Sequence, residues 1–225
     1  MKLSQVFTRI NAIIRTIGKD PLIFMVFSET AQDAYDHIIK LGSKKLSEFV
    51  EWTGPIEIPV RYGEDQLLGL ARIVVGQQLS NKAARSIWAR ICKDYPKRTD
   101  LLQVLRDPET ENTGLSASKK RTLSELMLLG DPWLSEIAKR PEFERRESLL
   151  EIWGLGPWSV AMWELFVLHS PDQWSDNDLI LKRISADLAA DANTERVHFI
   201  NTAAPFRSYF ALYCWRFNDT RQVPR

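Results

Sequence analysis

Two carboxylates lie close together in the segment Trp174-Ser-Asp-Asn-Asp-Leu-Ile-Leu-Lys-Arg183, and the second, Asp178, directly precedes a run that reads as a helix start. An acid at that place has two uses. It can accept the free N–H groups of the first helical turn and so cap the helix. It can instead point into a cleft, where a fixed carboxylate stabilises positive charge developing on a substrate and orients a water. Taken alone, Asp178 reads as a cap. Asp176 or Ser175 could take that duty, which would leave Asp178 free to face a cleft.

Other chemistry finds little support. Two cysteines, Cys92 and Cys214, cannot complete a four-thiolate cluster or a zinc site unaided, and His37, His169 and His198 show no ligand spacing. Both cysteines fall in apolar helical surroundings and read as buried free thiols. The eight tryptophans supply flat surface for cores, interfaces or stacked bases. The net charge of +1 rules out coating nucleic acid by charge alone, so any such partner must meet a local basic surface. No apolar run is long enough to span a membrane.

Helical periodicity dominates the chain. Leu3 to Ile17 is amphipathic and acid-poor, the pattern of a transit peptide or of a helix docked on the fold; the second is preferred. Helices are expected over Thr30–Leu41, Lys44–Trp52, Asp65–Val75 (capped by Gly76) and Ser80–Asp94. Further helices are expected over Leu101–Arg106, Ser118–Leu129, Pro132–Lys139, Glu144–Ile152 and Pro157–Leu168, then Asp178–Ala190, Thr194–Ile200 and Ala204–Phe217. The breaks are short. They predict an all-α protein of two helical lobes with a cleft between them, divided as an N-terminal extension over residues 1–34 and a main domain over 35–225.

The segment from Leu149 to Phe166 joins two helices through Gly154-Leu-Gly156, with Pro157 where a first helical residue belongs. The glycines permit positive φ and close backbone approach. The free N–H groups behind Pro157 make an anion site suited to a DNA phosphate. As a six-residue turn this could be a plain αα-corner.

Over its whole length, about 149–166, the segment resembles the helix-hairpin-helix of the DNA glycosylase superfamily, of the DNA-3-methyladenine glycosylase II type. Ser159 stands where Thr is more usual. The segment around Asp178 is similar to the superfamily's acidic loop and following Leu-x-Leu-basic-basic helix. Pro205-Phe-Arg-Ser-Tyr-Phe-Ala-Leu-Tyr-Cys-Trp-Arg216 resembles its C-terminal helix, Gly76-Gln-Gln-Leu-Ser80 its plug loop, and Gly114-Leu-Ser-Ala-Ser-Lys-Lys-Arg121 a helix start that faces DNA. These matches run in order from about Tyr35 to Phe217.

The resemblance implies roles residue by residue. Asp178 would be catalytic, and Trp158, Met162 and Trp215 would wall the base pocket. Gln78, with Leu79 as the alternative, would plug the gap left by a flipped base. Gly154, Gly156, Ser159, Lys119 and Lys120, with Arg121 beside them, would meet the DNA backbone. Strand-cutting relatives carry a Schiff-base lysine at the Trp158 position, and no lysine occurs between Lys139 and Lys182, so a monofunctional hydrolytic enzyme is expected.

The implied reaction is the release of 3-methyladenine and 7-methylguanine from double-stranded DNA. A cationic alkylated purine leaves readily, so one carboxylate suffices. No organic cofactor or catalytic metal is expected; a structural monovalent cation at the hairpin is the one ion the resemblance allows for. The protein is expected to act as a monomer, in the cytoplasm and nucleoid of a bacterium or the nucleus of a eukaryote. Three alternatives stand beside this reading: a glycosylase for another damaged base, a non-catalytic helix-hairpin-helix DNA-binding protein, and an all-helical interaction protein with a Trp-lined groove.

Overall fold

The computed structural model describes residues 28–60 and 65–221, which form eleven helices and no strand. In chain order these are α1 (Glu29–Ile38), α2 (Lys44–Thr53), α3 (Gln66–Gly76), α4 (Asn81–Asp94), α5 (Arg98–Arg106), α6 (Ala117–Ala138), α7 (Glu142–Leu150), α8 (Pro157–Phe166), α9 (Leu179–Asp191), α10 (Arg196–Thr202) and α11 (Arg207–Arg221). Serine and aspartate side chains start many of them. Ser28, Ser43, Asp65, Ser80, Ser116 and Asp178 each accept a first-turn N–H. The opening stretch Leu3 to Ile17 lies outside the described residues. The division expected after residue 34 falls inside α1.

Two groups of helices pack around separate parts of the core. In the first, α3 is the axis: α4, α6 and α8 lie against it, and α5 against α6. Leu67, Leu70 and Val74 of α3, Leu123 and Leu126 of α6 and Trp163 of α8 all belong to the core and are at 2% exposure or less. Burying each such leucine contributes about 1.5–3 kcal/mol. The second group combines both ends of the described chain. Helix α11 packs on α9 and α1, and α9 packs on α2 and α10. Ser43 and Lys45 at the start of α2 bond the Asp191 carboxylate at the end of α9, at 2.8 and 3.0 Å. Tyr213 of α11 donates to the Gly54 carbonyl at 2.9 Å.

The connector after α2 is extended without being a strand, and Ile56 and Ile58 alternate into the core. The two helices expected over 118–139 are the two halves of α6, separated at Gly130, whose backbone is not helical (φ +70), with Pro132 opening the second. Gly76 was expected to cap α3. It is instead the last helical residue, and Gln78 carries the left-handed conformation (φ 57) that reverses the chain.

Candidate active site at the junction of the two lobes

Asp178 sits where the lobes meet. Its Oδ1 accepts the backbone N–H groups of Ile180 and Leu181, both at 3.0 Å. Trp215 of α11 donates its indole N–H to the same oxygen at 3.3 Å, and Trp158 of α8 donates to Oδ2 at 3.1 Å. The expected choice between capping and facing the cleft is therefore no choice. Oδ1 caps α9, and Oδ2 carries one protein donor and keeps acceptor capacity for a substrate or a water. Asp176, proposed as the cap, is exposed and engaged elsewhere, bonded by Trp174 Nε1 at 3.2 Å and Arg196 Nη1 at 2.7 Å.

The loop carrying Asp178 is nailed to the start of α11. Arg207 makes a two-pronged pair with Asp172, 2.7 Å on each side, and its backbone N–H adds a third bond at 3.0 Å. Burial pushes the Asp172 carboxyl up, but the Arg207 hydrogen bonds and charge outweigh it and hold it below the ordinary range. Ser208 Oγ accepts from the Gln173 N–H and donates to the Ser170 carbonyl. The Trp174 ring stacks on Phe210 with centroids 5.3 Å apart. Trp215, half-buried, has Phe166 stacked against it at 5.8 Å.

Beneath Asp178 the Cys214 thiol is fully buried, and burial raises its pKa, the Asp178 charge adding in the same direction. Met162, expected in the base pocket, is 4% exposed and belongs to the core. Glu164 is also wholly buried. Burial raises its pKa against the opposing charges of Arg146 and Arg145, with Arg145 Nη2 3.0 Å away. Its ion pairs tie α8 to α7.

The hairpin lies between α7 and α8. Gly154 is left-handed (φ +85), and a Cβ there would overlap the hydroxyl of Thr122 on α6. Gly156 differs from the expectation: its backbone is extended (φ −112) and open space surrounds the Cβ position. Its contribution is a clear approach to the N-terminus of α8, where Trp158 and Ser159 have first-turn N–H groups without helical partners. The Ser159 side chain does not face outward, being 2% exposed with its hydroxyl accepting from Gln77 Nε2 at 2.8 Å.

Lys119, also expected on phosphate, donates to the Val75 carbonyl at the end of α3 at 2.8 Å, and burial lowers its pKa. Lys120 is half-buried beside it. Arg121 lies 4.2 Å above the ring of Trp153, a hairpin residue 41% exposed that sequence reasoning passed over. Gln78 and Leu79, expected to plug the duplex, are both exposed at the tip of the loop between α3 and α4. Gln77 was missed as well. A glutamine next to a glutamine gives no signal of which faces inward.

No family model matches the chain. Among curated proteins it is 28% identical over 198 residues to the "Alkylbase DNA glycosidase-like protein mag2" of Schizosaccharomyces pombe, covering 81% of this chain and 92% of that one. It is 29% identical over 153 residues to a DNA-3-methyladenine glycosylase of Saccharomyces cerevisiae, covering 62% of this chain and 51% of the relative. In sequence the chain is thus similar to curated alkyl-base DNA glycosylases.

Two solved structures share the fold. The S. pombe 3-methyladenine DNA glycosylase in complex with abasic DNA superposes with a TM-score of 0.69 at 23% identity, covering 86% of this chain and all of that one. A Bacillus halodurans DNA-3-methyladenine glycosidase gives 0.59 at 21% identity, covering 81% and 88%. The all-helical, two-lobed architecture expected from the sequence is that fold. Among the described residues no helix is long and apolar enough to cross a membrane.

Proposed function

We propose that this protein is a base-excision repair glycosylase that flips alkylated purines out of double-stranded DNA and releases them by hydrolysis. The observation that carries the reading is the Asp178 carboxylate, fixed between Trp158 of one lobe and Trp215 of the other, with Oδ2 turned to the junction. Cleavage of the N-glycosidic bond leaves positive charge on the sugar. A carboxylate already oriented by four N–H groups stabilises that charge with little reorganisation, and its less occupied oxygen can position the attacking water. Electron-rich indoles on either side favour a cationic methylated purine. The similarity to curated alkyl-base glycosylases supports the same substrate class.

Trp158 stands at the position where a strand-cutting relative would carry its lysine, so the reaction ends with the free base and an abasic site. The protein acts as a monomer, wherever the genome lies: in a nucleus or a nucleoid. No step is assigned to a monovalent cation at the hairpin.

The test is base release. Purified protein is incubated with duplex DNA methylated to contain 3-methyladenine and 7-methylguanine, with deaminated and oxidised bases as parallel substrates. Release of the methylated purines is expected. Release of only the other lesions would move the substrate class, and no release at all would sink the catalytic reading.

A second reading, a helix-hairpin-helix protein that binds damaged DNA without cutting it, draws on one observation. Asp178 caps α9, which gives its presence a purely structural reason. Damaged-DNA binding without base release would favour that reading.

A further inference from the structure

The plug loop and the hairpin are far apart in sequence and bound together in space by one side chain. Gln77 Nε2 donates to the Gly154 carbonyl at 3.0 Å and to the Ser159 hydroxyl at 2.8 Å. A backbone carbonyl only accepts, so the amide nitrogen must face the hairpin, and both its protons are used. The Ser159 end of this contact is buried, 2% exposed at the third residue of α8. The Gly154 end sits on the left-handed residue that Thr122 packs against.

The next residue along the chain, Gln78, is itself left-handed and exposed, and Leu79 follows, 39% exposed. Behind them Lys119 Nζ holds the Val75 carbonyl at the end of α3. The loop is thus fixed on its inner side to the hairpin and to α6, while its tip projects.

We propose that Gln77 is a positioning residue that locks the plug loop to the hairpin, so that seating the hairpin on a DNA backbone sets the depth and register at which Gln78 and Leu79 enter the duplex. The inference rests on the glycosylase reading for the identity of the plug, and it concerns a residue that touches neither base nor sugar. With the Gln77 bonds broken the hairpin still docks, because its own N–H groups and Gly156 are untouched. The plug, tied only through its backbone, samples other conformations around Gln78 and fills the duplex poorly.

The test uses the full chain and duplex DNA carrying a tetrahydrofuran abasic analogue opposite 2-aminopurine, whose fluorescence reports how the gap is filled. Gln77→Met keeps the stem and removes both donors; Gln77→Glu keeps the stem and turns acceptor oxygens toward the Gly154 carbonyl. Both variants should weaken the aminopurine response by about fivefold or more, the range of a coupling between two sites. Affinity for undamaged duplex should hold at the wild-type value, while the thermal midpoint falls only by what two lost hydrogen bonds account for. Ser159→Ala should weaken the response too, and combining it with Gln77→Met should add little more, because both changes break one contact.

An unchanged aminopurine response in both Gln77 variants overturns the proposal. A parallel loss of undamaged-DNA affinity also overturns it, since the residue would then merely support the hairpin. Base release is scored separately on methylated DNA. A wild-type protein that gives the aminopurine signal but releases nothing overturns the proposed activity and leaves the lock standing.

Discussion

Trp158 donates its indole N–H to Oδ2 of Asp178 across 3.1 Å, so the aromatic residue at the hairpin helix start and the carboxylate at the next helix start form one unit. Asp178 is then both a helix cap and a candidate catalyst, and the two roles separate by substitution. Asparagine caps as well as aspartate. Asp178→Asn should leave DNA binding in place while base release falls about 10²–10³-fold, the cost of removing one preorganised electrostatic group. Asp178→Ala should lose the same activity and about 1 kcal/mol of stability in addition. Full activity in Asp178→Asn would remove the residue from the mechanism.

The two indole donors do different work. Trp158→Phe keeps an aromatic ring and deletes the single protein bond to Oδ2, whereas Trp215→Phe deletes one of three donors to Oδ1. Hydrogen bonds to charged groups contribute about 1.5–3 kcal/mol, so Trp158→Phe should slow single-turnover release about tenfold or more. Trp215→Phe should slow it less. Equal losses would show that ring shape, not carboxylate orientation, matters.

Glu164 is a structural acid. Its buried carboxylate is held by Arg145, whose side chain is 12% exposed. Glu164→Gln strands that cation, and breaking a buried pair costs about 3–5 kcal/mol. A large fall in the denaturant midpoint is expected, with base release at temperatures where the variant is folded close to wild type. A stable but inactive Glu164→Gln would assign it a chemical role.

Gly154→Ala meets two obstacles, a left-handed backbone and the Thr122 hydroxyl. The backbone conformation alone costs about 1–3 kcal/mol for a residue with a side chain. Both stability and DNA affinity should fall. Adding Thr122→Gly should recover only the part due to overlap. Complete rescue would mean that the backbone conformation carries no cost.

The Asp172–Arg207 pair makes stability acid-sensitive. Because the folded carboxyl lies below its ordinary value of 3.8, folding takes up fewer protons than the unfolded chain does. The contribution is complete above the unfolded value and is lost as pH falls through the folded one. Thermal melts should show Asp172→Asn less stable than wild type at neutral pH, with the gap closing in the acid range. A gap that does not change with pH would show that the charge contributes nothing.

Punctuation made the frame legible before any coordinates. Gly154, Gly156 and Pro157 mark the hairpin, the short breaks fix the helix order, and Asp178 stands at its helix start. What stayed hidden depends on rotation about an axis or on a single φ angle. Adjacent Gln77 and Gln78 are alike in composition, and only the left-handed turn at Gln78 sends one inward and the other out. Ser159 and Lys119 are polar residues at helix starts, and nothing local shows that both are spent on the protein's own backbone and side chains. Met162 shares a helical stripe with Trp158, but the packing of α8 against α3 draws it into the core.

The lobe containing α3 to α8 is contiguous, whereas its partner needs α1 and α2 from before it and α9 to α11 from after it. Synthesis runs from the N-terminus at about 5–20 residues per second, and domains fold largely as they emerge. The hairpin and the plug loop can therefore assemble while Trp215 is still being translated. The indole that completes the Oδ1 contacts of Asp178 therefore meets a lobe whose own helices are already all synthesised.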